Sequence, residues 1–213
     1  MRANTVDFDG IDIRWDRRVL EPRPWTAAQA HWVAELARDA PEGPILELCC
    51  GAGQIGLLAA RLSRRSLVQV DSDEVAGAYA RENAKRAGIP SDVRIEQLDR
   101  ALGASERFPL IVVDPPWLPT ALVAGFPDDP VTAVDGGPDG LTVVGPAVEV
   151  AIDHLAPSGH IVFQVGTDAQ ADYLEAALVQ HAAGEPSSAP VLVARRRFAR
   201  GVLVHIADVP RGH

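Results

Sequence analysis

The sequence predicts an α/β fold: a seven-stranded, mostly parallel sheet with helices on both faces, closed at one edge by an antiparallel C-terminal hairpin. Three observations carry this expectation. From residue 45 onward, short β-branched runs alternate with longer helical patterns, the signature of strand–helix–strand units. A glycine loop follows the first of these strands and opens a helix. The last two apolar runs are joined only by Ala194 to Gly201, too short for a crossover helix, so they pair antiparallel. The 213 residues suit one domain, because single hydrophobic cores stop growing only beyond ~250–300 residues.

Residues 1–24 alternate weakly through Val6, Phe8, Ile11, Ile13 and Trp15 around an Asp9-Gly10 turn, predicting a short N-terminal hairpin ahead of a domain spanning 25–213. Thr26 is positioned to cap a helix running to about Asp39, with Ala30, Val33, Ala34 and Ala37 on its apolar face. Strands follow at 45–49, 67–71, 92–96, 109–113, 160–165, 190–194 and 201–207, and helices at 54–63, 73–87, 140–155 and 168–182. The segment 114–139 is rich in Pro, Gly and Asp and leaves the end of a strand; a long loop in that place is usually functional.

Twenty Lys+Arg against 29 Asp+Glu give a net charge of −9, and 47% of residues are hydrophobic. With a mean hydropathy of +0.03 this describes a globular acidic protein and excludes disorder as its main character. The acidity also disfavours a nucleic-acid partner held by a broad basic surface. No run approaches the ~18–20 apolar residues of a membrane span, and the first residues lack the apolar core of a signal peptide, so a cytoplasmic location without membrane contact is expected. Cys49 and Cys50 are adjacent, which suits neither an ordinary disulfide nor a zinc site. His31, His154, His160, His181, His205 and His213 are scattered, and no metal is expected. Arg195, Arg196, Arg197 and Arg200 form the dense basic cluster; it reads as a charged sheet edge that discourages aggregation, and secondarily as a contact for RNA or an acidic partner.

In Ile45-Leu-Glu-Leu-Cys-Cys-Gly-Ala-Gly-Gln-Ile-Gly56, glycines at 51, 53 and 56 satisfy G-x-G-x-x-G, and Asp71 follows Gly51 by twenty residues at the end of the next strand. Alone this is the Rossmann-like dinucleotide fingerprint, and a nicotinamide-dependent oxidoreductase is the reading from a different enzyme class. Two acids favour S-adenosylmethionine as cofactor. Glu47, just before the loop, would attract a positively charged methionine moiety and oppose a pyrophosphate. Asp99, after the third strand, suits an adenine amino group. With these residues in place, the sequence resembles the class I S-adenosylmethionine-dependent methyltransferases. The resemblance implies that Glu47, Gly51 and Gly53 line the methionine end, Asp71 holds the ribose and Asp99 reads the adenine. Cys49 stands where that family often carries its first glycine, so the turn must accept a side chain.

Asp114-Pro-Pro-Trp117 follows the apolar strand Leu110–Val113. The prolines stiffen the turn, and the Asp114 carboxylate and Pro115 carbonyl are two acceptors that can hold the N–H groups of an amide or aromatic amine. Its lone pair would then point at a methyl donor, with Trp117 as a flat face for a planar group. Catalysis would come mainly from orientation, and partly from stabilising charge on the nitrogen.

Three further segments resemble the HemK-type protein-(glutamine N5) methyltransferases of release factors and ribosomal protein. Val19-Leu-Glu-Pro-Arg-Pro-Trp-Thr26 is similar to their Pro-Arg-Pro-x-Thr-Glu segment, Ala133–Leu141 to their Gly-Gly-x-Asp-Gly-Leu segment, and Ile161–Gly166 with Gln170 to their fifth strand. The resemblance implies substrate-contact roles for Arg23, Thr26 and Asp139. Departures are Asp114 and Trp117 in place of Asn and Tyr, and Ala27 and Gln164 in place of Glu. The chain also begins almost at the catalytic domain, where those enzymes carry a helical recognition domain. The expected function is therefore S-adenosylmethionine-dependent N-methylation of a protein glutamine in a release or ribosomal factor, with adenine N6 or a small molecule as alternative acceptor. A non-catalytic adaptor is a third class, and the oligomeric state is left open.

Overall fold

The computed structural model describes residues 3–184, 189–198 and 200–209; His213 lies outside them. β1 (Asn4–Phe8) and β2 (Ile11–Trp15) form the N-terminal hairpin. A 3-10 turn over Pro24–Thr26 leads into α1 (Ala27–Leu36). Then come β3 (Ile45–Leu48), α2 (Gln54–Ser63), β4 (Leu67–Asp71), α3 (Glu74–Ala87), β5 (Ser91–Ile95) and β6 (Phe108–Val113). Two short helices follow, α4 (Thr120–Val123) and α5 (Val131–Val134), then α6 (Val144–Asp153), β7 (Leu155–Val165), α7 (Asp168–Gly184), β8 (Ala189–Phe198) and β9 (Gly201–Val209).

The main sheet has seven strands in the order β5-β4-β3-β6-β7-β9-β8, parallel except where β9 pairs with β7 and β8. β6 is a continuous, fully buried apolar run because both faces of the sheet are covered there. One core joins the sheet to α6 and α7 through residues such as Phe163, Val148 and Leu174; the other joins it to α1, α2 and the hairpin through Val33, Leu57, Phe8 and Ile13. The chain winds outward from β3 in one direction and from β6 in the other, so the switch point lies between these two strands. Ligands bind beyond the carboxyl ends of strands at such a point. Leu48 and Val113 are in register there, which sets the loops starting at residues 49 and 114 side by side.

The hairpin is tied to that region through a buried asparagine. Asn83 of α3 accepts from the Arg14 N–H at 2.8 Å, and donates to the carbonyls of Arg14 and of Ala52 in the glycine loop, each at 2.9 Å. Asp16 is also buried, and its carboxylate, held well below the usual range by Arg18 and Tyr79, anchors the chain that leaves β2.

Several expected boundaries move. The Thr26 side chain does not cap α1; its hydroxyl donates back to the Arg23 carbonyl at 2.8 Å, because a 3-10 turn already leads the helix. α1 ends at Leu36 rather than near Asp39. The helix expected from 140 starts at Val144, since Gly137 and Gly140 have φ of +88° and +79° and shape a tight turn that no helix can contain. β7 starts at Leu155 rather than 160, crossing a register shift opposite Phe108 and Leu110. β8 runs through Phe198 rather than stopping at 194. The segment 114–139 carries α4, α5 and a bridge between Leu118 and Asp135. No helix among the described residues is long and apolar enough to cross a membrane.

Candidate active site

The glycine loop is built from left-handed residues at Cys49, Gly51 and Gly53, with φ of +58°, +54° and +84°. Cys49 therefore accepts the backbone conformation that favours glycine. The other positions have distinct reasons to lack a side chain. A Cβ on Gly51 would meet nothing within 4 Å, so the backbone is open there to an approaching group. A Cβ on Gly53 would press on Gln69 and on Ala80 of α3, and one on Gly56 would strike the Glu47 carboxylate.

Asp71 closes the loop from β4, accepting from Gly51 N–H at 2.8 Å and from Asp73 N–H at 2.9 Å. Glu47 does so from below. Its Oε1 accepts from Gly56 N–H at 2.8 Å and its Oε2 from the Gln69 amide at 2.6 Å, with only 2% of the residue exposed. Burial, reinforced by Asp114 and Asp71, pushes its carboxyl up to about 8. Burial likewise pushes Asp71 up. Both thiols, Cys49 and Cys50, are pushed up by burial and by the surrounding carboxylates, which suppresses a nucleophilic thiolate. Asp99 lies beyond the end of β5 in an exposed turn, its carboxylate 3.8 Å from Arg100 and its side chain 79% exposed.

Beside the loop opens a cleft of about 600 Å³, whose lining includes Arg23, Thr26, Gln54, Asp114, Pro115, Trp117 and Gln164. Burial pushes the Asp114 carboxyl up to about 7, while the donors of Gln29 and Trp117 draw it partly back. Trp117 lies against Gly166, where any Cβ would collide with its ring. Gln170 fixes the same turn: its amide donates to the carbonyls of Trp117 at 2.8 Å and Asp139 at 3.2 Å, and its oxygen accepts from Gly166 and Thr167. Gln29, fully buried on α1, donates to Gln164 Oε1 at 2.8 Å.

The structure brings Asp114, Pro115 and Trp117 together with Arg23 and Thr26 around one cleft. Arg23 pairs with Asp129 at 2.5 Å and thereby ties the segment before α1 to the 114–139 loop. Asp139 is not among the cleft residues; its exposed carboxylate accepts from Leu141 N–H at 3.0 Å and stabilises a turn. The basic cluster is largely spent on internal pairs. Arg195 meets Asp172 and Glu175, Arg196 meets Glu35 and lies over Trp32, and Arg197 meets Asp168. Gln29 and Gln54 escaped the sequence reading. A polar residue inside an apolar helix pattern is the signal that marks them, but it also describes any solvent-facing position.

The family model described as the methyltransferase small domain matches residues 28–122. The chain is similar to the release factor glutamine methyltransferase of Deinococcus radiodurans, 32% identical over 200 residues, covering 92% of this chain and 70% of that protein. It is 29% identical over 179 residues to the ribosomal protein uL3 glutamine methyltransferase of Bradyrhizobium diazoefficiens, covering 77% of this chain and 56% of that one. It spans 58 to 61% of the length of five further release factor glutamine methyltransferases that it matches. In structure it resembles the hMettl16 catalytic domain solved with the MAT2A 3′UTR hairpin 1, at TM-score 0.70 and 18% identity, covering 95% of this chain and 75% of that one; at that identity the likeness speaks for the fold. The chain is a methyltransferase and belongs to the family of the HemK-type glutamine methyltransferases.

Proposed function

We propose that this protein transfers a methyl group from S-adenosylmethionine to a nitrogen, that of a protein glutamine side chain. The observation that carries the proposal is the register of β3 and β6, which sets the glycine loop beside the Asp114-Pro115 turn, with Asp114, Pro115 and Gln54, the residue that follows the loop, lining one cleft. The residues present fit the donor. Gly51 leaves room over its backbone, and Glu47, Asp71 and Asp114 are carboxyls raised by burial, whose ionised forms a bound sulfonium and ammonium would favour. Gly51 and Gly53 shape the loop, Asp71 offers acceptors for ribose hydroxyls, and Asp99 remains the candidate for the adenine edge. The bound donor would supply an electrophilic methyl group.

Transfer forms a C–N bond as the C–S bond breaks, and the nitrogen then sheds a proton. An amide nitrogen is a poor nucleophile, so this chain's task is orientation. Asp114 and the Pro115 carbonyl accept its two N–H groups, and Trp117, held by Gly166 and Gln170, supports the plane of the amide. A carboxyl raised to about 7 can hold the departing proton at Asp114 near neutral pH. The domain proposed is 25–213, braced by the 1–24 hairpin. Names of the relatives suggest a release factor or ribosomal protein as acceptor. Incubating fractionated lysate with methyl-labelled S-adenosylmethionine tests the proposal. Label in protein as N-methylglutamine is expected, whereas label confined to RNA, DNA or small molecules would overturn the acceptor.

A further inference from the structure

We propose that Gln164 is a substrate-binding residue that donates to the carbonyl oxygen of the acceptor amide, and that Gln29 is the positioning residue that turns it to do so; both roles rest on the acceptor being a glutamine side chain. Gln29 lies on α1 and is fully buried, and Gln164 lies on β7 with 2% of its surface exposed. Both are polar side chains set in an apolar layer. There, the direction of each hydrogen bond fixes which way an amide faces.

Asp114, Gln29 and Gln164 form a chain of fixed polarity. An ionised Asp114 offers only acceptors, so Gln29 faces it with its amide nitrogen, which donates to the carboxylate. The same nitrogen donates to Gln164 Oε1 at 2.8 Å. Gln29 Oε1 is left buried without a partner among the described residues, at a cost of about 1–3 kcal/mol. Turning the amide over would set that oxygen against the Asp114 carboxylate, so the demand of Asp114 for a donor outweighs the orphaned oxygen.

With its oxygen taken by Gln29, Gln164 presents its amide nitrogen elsewhere. That nitrogen has no partner among the described residues, and it is not enclosed: the enclosed side-chain atoms without a partner are the oxygens of Gln29 and Gln54. It is therefore open to the cleft that Gln164 lines with Asp114, Pro115 and Trp117. Two hydrogen bonds meeting at the Gln29 nitrogen hold Asp114 and Gln164 within ~6 Å of each other. One carboxamide can bridge that span, its N–H groups on Asp114 and the Pro115 carbonyl and its oxygen on Gln164. Other donors of the cleft wall are engaged: Trp117 on Asp114, Arg23 on Asp129, the Thr26 hydroxyl on the Arg23 carbonyl and Arg197 on Asp168.

The protein fraction of lysate, titrated as methyl acceptor at saturating labelled S-adenosylmethionine with label counted as N-methylglutamine, tests this in the wild type, Gln164→Met, Gln29→Met and the double variant. Gln164→Met should lower kcat/KM about 5-fold, the worth of one hydrogen bond, mostly through a higher apparent KM, with cofactor affinity by calorimetry within about twofold of the wild type. Gln29→Met should lose a similar amount. Because it also strips a donor from Asp114, it should move the rising limb of the pH–rate profile to higher pH, whereas Gln164→Met leaves that limb in place. Glu47 and Cys49, which lie in the field of Asp114, are untouched by either substitution. The double variant should lose no more than Gln29→Met alone, since both changes act through one donor. If Gln29→Met does not fold, Gln164→Met still decides. An unchanged kcat/KM in Gln164→Met overturns the proposal, as does a loss matched by an equal loss of cofactor affinity, or losses that add fully in the double variant. Label confined to RNA, DNA or small molecules overturns instead the glutamine reading beneath it.

Discussion

The side-chain amide of Gln170, at the start of α7, donates a 2.8 Å hydrogen bond to the carbonyl of Trp117, the last residue of the Asp-Pro-Pro-Trp turn. With the Trp117 ring lying on Gly166, this bond sets the turn from its far side. Gly166→Ala must displace the ring, since its Cβ would occupy ring space. The expected outcome is a fall of about 10- to 100-fold in the turnover number with cofactor affinity retained, because a small displacement of reacting groups is costly to orientation. Steady-state kinetics beside calorimetry check this.

Asp114 and Asp71 should separate binding from chemistry. Asp114→Ala removes an acceptor for the acceptor nitrogen and should abolish measurable transfer while the cofactor still binds. Asp71→Ala should weaken cofactor binding, both through the lost ribose acceptor and through the lost bond to Gly51 N–H. With the Asp114 carboxyl near 7, transfer by the wild type should rise as pH increases through that value. A pH–rate profile measures it, and Asp114→Asn should flatten that limb.

Cys49 holds a left-handed conformation without being glycine. Cys49→Gly relieves the strain of an L-residue there but loses the burial of the thiol and gives the unfolded chain more freedom, so stability should stay within about 1 kcal/mol of the wild type. Denaturant unfolding reads the shift. The variant should keep its activity, since the surrounding carboxylates disfavour a thiolate.

The paired imidazoles predict a pH signature in stability. His205 Nε2 lies 3.1 Å from His160 Nδ1, with Trp32 and Arg196 on the His205 side and Asp39 facing His160. Burial, His160 and Arg196 lower His205 to about 4, and burial lowers His160. Both are favoured neutral in the folded state, whereas the unfolded imidazoles protonate near 6.5. Their contribution is present above about 6.5 and is lost as pH falls towards 4. The stability difference between wild type and His205→Phe should shrink over that window in parallel denaturant titrations.

The extent of what the sequence reveals follows from what local patterns encode. β6 was legible because a strand buried on both faces is written as a continuous apolar run, and β3 and β4 because their short apolar runs are interrupted only by Glu47 and Gln69. The glycine loop and Asp71 were legible because the twenty-residue spacing is local to one β–α–β unit. The start of α6 was not, since the apolar pattern after Gly140 continues smoothly while the left-handed backbone of Gly137 and Gly140 forbids a helix. The arginine run was visible as charge, but its pairing with Glu35, Asp168, Asp172 and Glu175 depends on α1 and α7 packing beside β8. Gln29, Gln54 and the covering of Glu47 share that origin: they depend on which residues meet across the sheet.

The central claim is that the carboxylates around the glycine loop select a cationic donor. The direct measurement is calorimetry of S-adenosylmethionine and NAD in buffers of differing ionisation enthalpy between pH 6.5 and 8. Glu47 near 8 and Asp114 near 7 are partly protonated there, and a bound cation lowers both. S-adenosylmethionine should therefore bind with release of protons and more tightly as pH rises, with NAD not binding. Tight NAD binding without S-adenosylmethionine binding, or S-adenosylmethionine binding that neither releases protons nor changes with pH, would contradict the account.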